Sequence, residues 1–168
     1  MIKKIAFLFL FSGIFELVQA QKGEKTITAG PLISFPLGLE SASSNFKIGL
    51  GVELVGQWNI SNRSGLLLKT TLASWGYKER MTTYGDNRFS LLTFQGGYRY
   101  LFGTAGFFAD GLVGIDLDLH DNYTTVCFTL GLGKRFINKG RYIDVGVDLV
   151  GGDAEERLNI KVLFSLFQ

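Results

Sequence analysis

The feature that most constrains the fold of this chain is a repeated alternation of apolar and polar residues. In residues 46–60 (FKIGLGVELVGQWNI), the large apolar side chains fall mostly on one parity, and the charged residues fall on the other. A period of two indicates an extended strand with one apolar and one polar face. The alternation recurs, with varying regularity, in residues 26–37, 66–77, 89–102, 106–119, 124–136, 141–150 and 157–168. The sequence therefore predicts about eight strands, each close to the length that crosses a bilayer.

The connections between these strands are of two kinds. Tight turns rich in Asn, Gly and Ser occupy residues 61–65, 103–105 and 138–140. They alternate with connections that are mostly longer and polar, at residues 38–45, 81–88, 120–122 and 151–156. This rhythm is typical of an up-and-down barrel with its longer connections outside the cell. We therefore predict an all-β fold, an eight-stranded antiparallel up-and-down transmembrane β-barrel. Pro31 cannot donate to a strand ladder, so we expect a bulge or a local break there.

The glycines indicate which face of the strands meets lipid. They cluster on the polar face: Gly49, Gly51, Gly97, Gly114, Gly131, Gly133 and Gly146. On a water-facing sheet, glycine weakens the strand and covers nothing, whereas a narrow barrel lumen has little room for side chains. We expect the polar face to line the lumen. The apolar face, which would be unfavourable in water, then faces lipid.

Charged residues of both signs share the glycine face. Buried charges persist only when they are paired and hydrogen-bonded, so this face predicts a salt-bridged plug. We call the predicted set the lumen charge network: Lys47, Glu53, Lys69, Arg99, Asp110, Asp116, Arg135, Asp144, Asp148 and Lys161. The alternative is that these side chains are ordinary solvated surface charges.

Two further groups lie near the strand ends. Aromatic residues there predict girdles at the membrane interfaces: Trp58, Trp75, Tyr77, Tyr98, Tyr100, Phe102, Phe107, Phe136 and Tyr142. Basic residues are expected at the outer ends of strands: Lys78, Arg80, Arg88 and Arg157. Guanidinium groups bind phosphate bidentately, so these residues are candidates for contact with lipopolysaccharide. Rim charge that merely keeps the loops out of the bilayer is the alternative.

The N-terminal segment has the pattern of an export signal. Lys3 and Lys4 precede an apolar run, residues 5–15, that is too short to span a bilayer as a helix. Small residues then permit cleavage after Ala20, so we expect residues 1–20 to be a cleaved signal peptide and 21–168 to be one barrel domain. A retained anchor or an amphipathic first helix is the alternative.

Charge and cysteine content exclude some classes of function. Without Lys3, Lys4 and Glu16, the 17 basic and 15 acidic residues of the chain become 15 and 14. This balance gives no electrostatic case for nucleic-acid binding. Cys127 is the one cysteine, so no disulfide can form within the chain.

On these residues, the chain resembles the small outer-membrane β-barrel proteins of Bacteroidota. The likeness rests on the end of the signal peptide, residues 18–21, and on three strand sequences: ITAGPLISFPLG (27–38), FKIGLGVELVGQWNIS (46–61) and NIKVLFSLF (159–167). The resemblance implies an eight-stranded barrel with roles in adhesion or barrier integrity. It also implies recognition of a C-terminal aromatic by the outer-membrane assembly machinery, although here Phe167 is followed by Gln168.

The chain carries few residues suited to catalysis. His120 is the one histidine, and it lies between Asp118 and Asp121 without a neighbouring serine. Lipid A deacylases of barrel type carry a His-x-Ser arrangement, but Asn122 occupies the matching position here. Cys127 is expected to be a small lumen filler rather than a nucleophile. We therefore predict no catalytic residue, no metal site and no cofactor.

The predicted function is that of an integral outer-membrane protein with a structural or interaction role. Its partners would be membrane lipid, lipopolysaccharide, the assembly machinery through the last strand, and an external partner that the sequence does not identify. Three alternatives stay open: a lipid A-modifying enzyme, a soluble lipocalin-like binding barrel, and a small pore.

Overall fold

The structure, a computed structural model, describes residue 23 and residues 25–37, 47–77, 88–120, 123–138, 140–152 and 156–167. Within these residues, it contains eight β-strands: β1 (Lys25–Pro36), β2 (Gly49–Ser61), β3 (Ser64–Gly76), β4 (Arg88–Phe102), β5 (Phe107–Asp118), β6 (Thr124–Asn138), β7 (Arg141–Gly152) and β8 (Arg157–Phe167). No helix in this part of the chain has the length and apolar character of a membrane span. The predicted signal peptide, residues 1–20, lies outside the described residues.

The strands close into a barrel in chain order. Each strand is antiparallel to its neighbours from β1 to β8, and β8 pairs in turn with β1. The β4–β5 hairpin stays in register from Leu91↔Asp118 to Phe102↔Phe107. Closure leaves no open edge among these strands, which satisfies the backbone in surroundings without water. The predicted eight-stranded antiparallel barrel is confirmed.

The first strand stays in register at its proline. Register pairs between β1 and β8 keep in step on either side of Pro31, and Pro31 itself pairs with Val52 of β2. The register shift lies instead between Ile27 and Thr28. No bulge lies at Pro31, but the ladder between β1 and β8 is interrupted there, since its pairs stop at Ala29↔Phe164 and resume at Leu32↔Lys161. The expected local break is therefore found, and the expected bulge is not. A proline removes one backbone N–H, and the ladder on both sides of it is sufficient to hold the register.

The two ends of the barrel differ in their connections. At one end, which we call the short-turn end, the connections are residues 62–63, 103–106 and 139–140. The opposite end, the long-connection end, carries residues 37–48, 77–87, 119–123 and 153–156. Gly103, Gly106 and Gly140 have φ angles of 59°, 76° and 78°, the left-handed region that favours glycine. The first strand starts and the last strand finishes at the short-turn end.

The outer face of the barrel is apolar. Val126, Leu130 and Leu132 on β6 are 62%, 62% and 66% exposed, and Leu50 on β2 is 68% exposed. The inward positions of the same strands carry polar or small residues, most of them buried. Large apolar side chains exposed over a whole barrel are unfavourable in water and favourable in lipid. The two faces therefore have the orientation that the glycines predicted.

An aromatic girdle lies on the outer face near the short-turn end. It is formed on three adjacent strands by Tyr98, Tyr100, Phe102, Phe107 and Phe136, all of them exposed. The rings of Tyr100 and Phe102 meet edge to face, with centroids 5.2 Å apart. Aromatic rings at this level of a barrel mark the boundary between lipid and water.

Trp75 does not belong to that girdle. Its side chain is 4% exposed and lies inside the barrel, where it packs with Leu32, Ala73 and Leu91 near the long-connection end. Tyr77 packs against the same cluster. The prediction of an outward Trp75 is wrong because residue 75 has the inward parity of β3, which it shares with the buried Ala73.

Candidate functional site

Ten charged side chains fill the lumen of the described barrel. All of them are buried, and they comprise five cations and five carboxylates: Lys69, Arg99, Arg135, Arg157 and Lys161 with Glu53, Asp110, Asp116, Asp144 and Asp148. The formal charge of this set is therefore zero. A charge removed from water is tolerated when a partner of opposite sign and further hydrogen bonds are in place. Every member of this set has a partner of opposite sign.

An arginine cluster occupies the part of the lumen near the short-turn end. Arg99 donates to both oxygens of Asp110, Nε to Oδ1 at 2.7 Å and Nη2 to Oδ2 at 2.8 Å. Its Nη1 donates to Asp144 Oδ2 at 2.6 Å. Arg135 donates to the same aspartate, Nε to Oδ1 at 2.7 Å and Nη2 to Oδ2 at 2.8 Å. Asp144 thus joins two guanidinium groups, and bidentate pairing fixes their orientation.

Uncharged side chains complete the arginine cluster. Gln57 Oε1 accepts from Arg135 Nη2 at 2.9 Å and from Arg99 Nη1 at 3.3 Å. The guanidinium carbon of Arg99 lies 3.8 Å from the ring centroid of Phe108, and that of Arg135 lies 4.6 Å from the ring centroid of Tyr142. Stacking on aromatic faces suits the planar guanidinium group. Gln57 and Phe108 were not predicted as members of the site, although both have the inward parity of their strands. The prediction that Tyr142 belongs to the outer girdle is wrong, because Tyr142 shares the inward parity of the buried Asp144 on β7.

A lysine cluster lies deeper in the barrel. Lys161 Nζ lies 2.7 Å from Asp148 Oδ2 and 3.0 Å from Glu53 Oε1. Lys69 Nζ lies 3.1 Å from Asp148 Oδ2 and 3.9 Å from Glu53 Oε2. Thr71 donates its hydroxyl to Glu53 Oε2 at 3.2 Å. Two ammonium groups and two carboxylates therefore alternate around a closed ring of contacts.

Arg157 provides the third centre of the lumen. Its Nη1 and Nη2 donate to the two oxygens of Asp116, each at 2.9 Å, and Nη2 also donates to Thr93 Oγ1 at 3.0 Å. The residue is 2% exposed. The prediction that Arg157 contacts lipopolysaccharide at the rim is wrong, because its side chain points into the lumen on the same parity as Lys161.

Lys47 was predicted in the lumen charge network and does not lie there. It is exposed and precedes β2, and its backbone N–H donates to the carbonyl of Gly76 at 2.7 Å. Parity places a side chain on a face only within a strand, and β2 begins at Gly49. Arg157 is the fifth cation of the lumen, in place of Lys47. The other nine predicted members are all brought together in the lumen.

The remaining basic candidates belong to the long-connection end. Arg88 is exposed and is the first residue of β4, opposite Gly76 of β3. Lys78 and Arg80 lie outside the described residues. Of the four basic residues proposed for lipopolysaccharide contact, Arg88 is therefore the one whose described position fits the rim.

Room for the charged side chains comes from the inward glycines. A Cβ at Gly133 would lie 2.6 Å from the carbonyl oxygen of Val145 and against the ring of Phe108, the ring on which Arg99 rests. A side chain at this position would push on the neighbouring strand and on the arginine cluster. Gly111, on the outer face, has open space where its Cβ would be.

We therefore expect Gly133→Ala to lower the free energy of unfolding by about 1–3 kcal/mol, the usual cost of overpacking a tight interior. Gly111→Ala is the matched control, and it should stay within about 0.5 kcal/mol of the unsubstituted protein. Urea unfolding of both variants in phospholipid vesicles measures the difference. Equal effects at the two positions would show that the lumen glycines are not required for packing.

Residues of interest for catalysis are not assembled into a site in the described part of the chain. His120 is exposed just after β5, and its backbone N–H donates to Asp118 Oδ1 at 2.7 Å. Cys127 is fully buried in the lumen, with Gln95 Nε2 3.3 Å from its sulfur and 2.8 Å from Thr129 Oγ1. Among the residues described, no group of three or more His, Cys, Asp or Glu side chains could hold a metal ion.

A cavity of about 430 Å³ opens at the short-turn end. Its lining includes Asn59, Ser61, Arg135 and Tyr142. The arginine cluster therefore lies next to this cavity, where the Arg135 side chain is 6% exposed.

Comparison with known proteins shows which solved structures share the fold of this chain. No family model matches the chain, and no curated protein matches it. Among solved structures, Ail, the attachment invasion locus protein of Yersinia pestis, matches with a TM-score of 0.60 at 15% identity, over 86% of this chain and 98% of Ail. Neisserial surface protein A (NspA) matches with a TM-score of 0.58 at 9% identity, over 84% of this chain and 95% of NspA. This chain has the fold of the eight-stranded outer-membrane β-barrels.

At sequence identities of 15% and 9%, the similarity to Ail and NspA shows a shared fold. Ail is described as an outer membrane protein in a structure determined in a phospholipid bilayer nanodisc. Another Ail structure, which matches this chain with a TM-score of 0.58 at 15% identity, contains the heparin analogue sucrose octasulfate. The matching structures described above are of Ail of Yersinia pestis and Neisserial surface protein A, and they do not support the Bacteroidota part of the resemblance.

Proposed function

We propose that this chain is an integral outer-membrane protein, without enzymatic activity, that stabilises the membrane and contacts lipopolysaccharide or a surface partner. The observation that carries the proposal is the combination of an apolar outer face with a lumen filled by five cations and five carboxylates. An apolar outer face is favourable in lipid. A filled lumen leaves the outer face and the connections as the surfaces available for interaction.

The polar interior argues against two of the alternatives. A lipocalin-like barrel needs an apolar cavity for its ligand, but the centre of this lumen holds Lys161, Glu53 and Asp148 in direct contact. A pore needs a continuous water-filled path, and the paired side chains of β2 to β8 cross the lumen at three levels. We therefore propose that the barrel is closed to ions.

Contact with lipopolysaccharide is assigned to the long-connection end. Arg88 is exposed there, and the sequence adds Lys78 and Arg80 to the same connection. Phosphate is the anionic group of lipopolysaccharide that arginine binds bidentately. The binding of a sulfated heparin analogue by Ail shows that a barrel of this fold can accept a polyanion, which supports the proposal without identifying the partner.

Export and assembly form part of the same proposal. We infer cleavage of a signal peptide after Ala20 and recognition of the last strand by the outer-membrane assembly machinery. Phe167 is the last residue of β8 and pairs with Ile27 of β1, at the seam where the barrel closes. A Bacteroidota-type origin likewise stays a proposal that rests on sequence likeness.

Electrophoresis of the outer-membrane fraction tests this proposal. We expect an unboiled sample in SDS to migrate fast, because the closed barrel stays compact, and a boiled sample to migrate more slowly. Planar-bilayer recordings on the purified protein should show no conductance steps. Recovery from the soluble periplasm without a heat shift would overturn the membrane assignment, and regular conductance steps would overturn the plugged lumen.

A further inference from the structure

Lys134 is a charged residue on the lipid-facing side of the barrel that lies within a strand rather than at its start. The charged residues at outward positions of the described strands are Lys25, Arg88 and Arg141, each the first residue of its strand, and Lys134, which lies within β6. The cross-strand neighbours of Lys134 are apolar, Phe107 on β5 and Val145 on β7. A charge on the lipid face is costly at the bilayer midplane and tolerated near the interface. The position of Lys134 therefore needs an explanation.

Two aromatic rings hold the side chain of Lys134. Its Nζ lies 5.0 Å from the ring centroid of Phe107 and 5.1 Å from that of Phe136. Both rings belong to the aromatic girdle and are exposed. A lysine whose stem lies along apolar surface while its ammonium group sits between girdle rings is placed at the level of the lipid headgroups.

The charge at this end of the barrel is of one sign. Lys134 is half-buried, and the exposed charged residues that the structure describes at the short-turn end are Lys25, Arg63 and Arg141, all basic. Short turns of outer-membrane barrels face the periplasm, so the headgroups nearest to them belong to phospholipids of the inner leaflet. Basic residues at such a level attract anionic lipids.

We propose that Lys134, Phe107 and Phe136 form a binding site for the phosphate of an anionic phospholipid, such as phosphatidylglycerol, in the periplasmic leaflet. The ammonium group of Lys134 pairs with the phosphate. The two rings position the ammonium group, and an acyl chain packs along the exposed Leu132 and Leu130 below it. The inference rests on the proposed membrane insertion, with the short-turn end in the periplasm.

The test measures which lipid stays with the barrel. The protein is refolded into vesicles of equal parts phosphatidylcholine and phosphatidylglycerol, extracted in mild detergent, and its bound lipids are quantified. We expect about fivefold enrichment of phosphatidylglycerol, the preference that one lysine near an anionic surface supplies. Lys134→Gln should reduce the ratio towards one, and Lys134→Arg should keep it. The matched control, Lys47→Gln, removes the same charge from an exposed position at the opposite end and should leave the ratio unchanged.

Each outcome separates the site from membrane insertion itself. Equal enrichment in the unsubstituted protein and in Lys134→Gln would overturn the site. So would an equal loss in Lys47→Gln, because the preference would then come from overall charge. Absence of the heat-shifted band in vesicles of either lipid would instead overturn the proposed function on which the site rests.

Discussion

Replacing Asp144 with alanine is expected to lower the free energy of unfolding by about 3–5 kcal/mol, because a buried ion pair that loses one partner leaves an uncompensated charge. Asp144 is fully buried and accepts hydrogen bonds from both Arg99 and Arg135. Arg99 keeps its bidentate contact with Asp110 in the variant. Arg135 loses the carboxylate that binds its Nε and Nη2, and the lumen set acquires one net positive charge.

A second substitution distinguishes lost charge balance from lost packing. In Asp144→Ala with Arg135→Ala, the lumen set is neutral again, and the Arg99–Asp110 pair is retained. We expect the pair to recover about 0.5–3 kcal/mol relative to the sum of the two single substitutions, the usual coupling between residues in direct contact. Glu156→Gln, an exposed position at the long-connection end, should change stability by less than about 0.5 kcal/mol.

Urea unfolding in phospholipid vesicles, followed by tryptophan fluorescence, measures these differences. The chain has two tryptophans, and the buried Trp75 responds to entry of water into the lumen. If Asp144→Ala and Glu156→Gln had equal effects, the lumen charges would be solvated rather than paired. That result would also remove the physical basis for a plugged barrel.

Sequence periodicity was sufficient to predict the barrel and most of the charged residues of its lumen. Parity assigns a residue to a face, so Glu53, Lys69 and Asp148 could be placed inside from the alternation alone. Parity does not give the height of a residue in the barrel or its partners across the lumen. The contact of Lys161 with Glu53 joins residues 108 positions apart, and such a pairing depends on the stagger of all the strands between them.

The errors occur where a strand begins or finishes. Lys47 has inward parity but precedes β2, whereas Arg157 opens β8 and already follows its alternation. Trp75 was assigned to a girdle by its residue type and its position near a strand end, although its parity pointed inward. For Lys47 and Arg157 the boundary of the strand decides, and boundaries depend on pairing with neighbouring strands rather than on local sequence. Trp75 lies within β3, so its parity gave the correct face and its residue type was misleading.

Replacing Leu130 with arginine is expected to be nearly as damaging as the loss of Asp144, for the opposite reason. Leu130 is 62% exposed and lies near the middle of β6, opposite Gly111 on one side and Leu149 on the other. An arginine on the lipid face costs about 2–4 kcal/mol at the midplane of the bilayer. We therefore expect Leu130→Arg to lower the free energy of unfolding in vesicles by that amount and to reduce the fraction of heat-shifted barrel.

Leu119→Arg is the matched control, because Leu119 is 51% exposed but lies just beyond β5 at the long-connection end. The same change of residue near the interface should cost about 0–1 kcal/mol. The contrast between the two variants tests whether the middle of the outer face lies in lipid or in water. In a soluble barrel, arginine at either exposed leucine would change the free energy of unfolding by less than about 0.5 kcal/mol. A clear loss at Leu130 alone places the middle of the outer face in lipid. Equal tolerance at both positions would reverse the assignment of the two faces and make the polar lumen the feature in need of explanation.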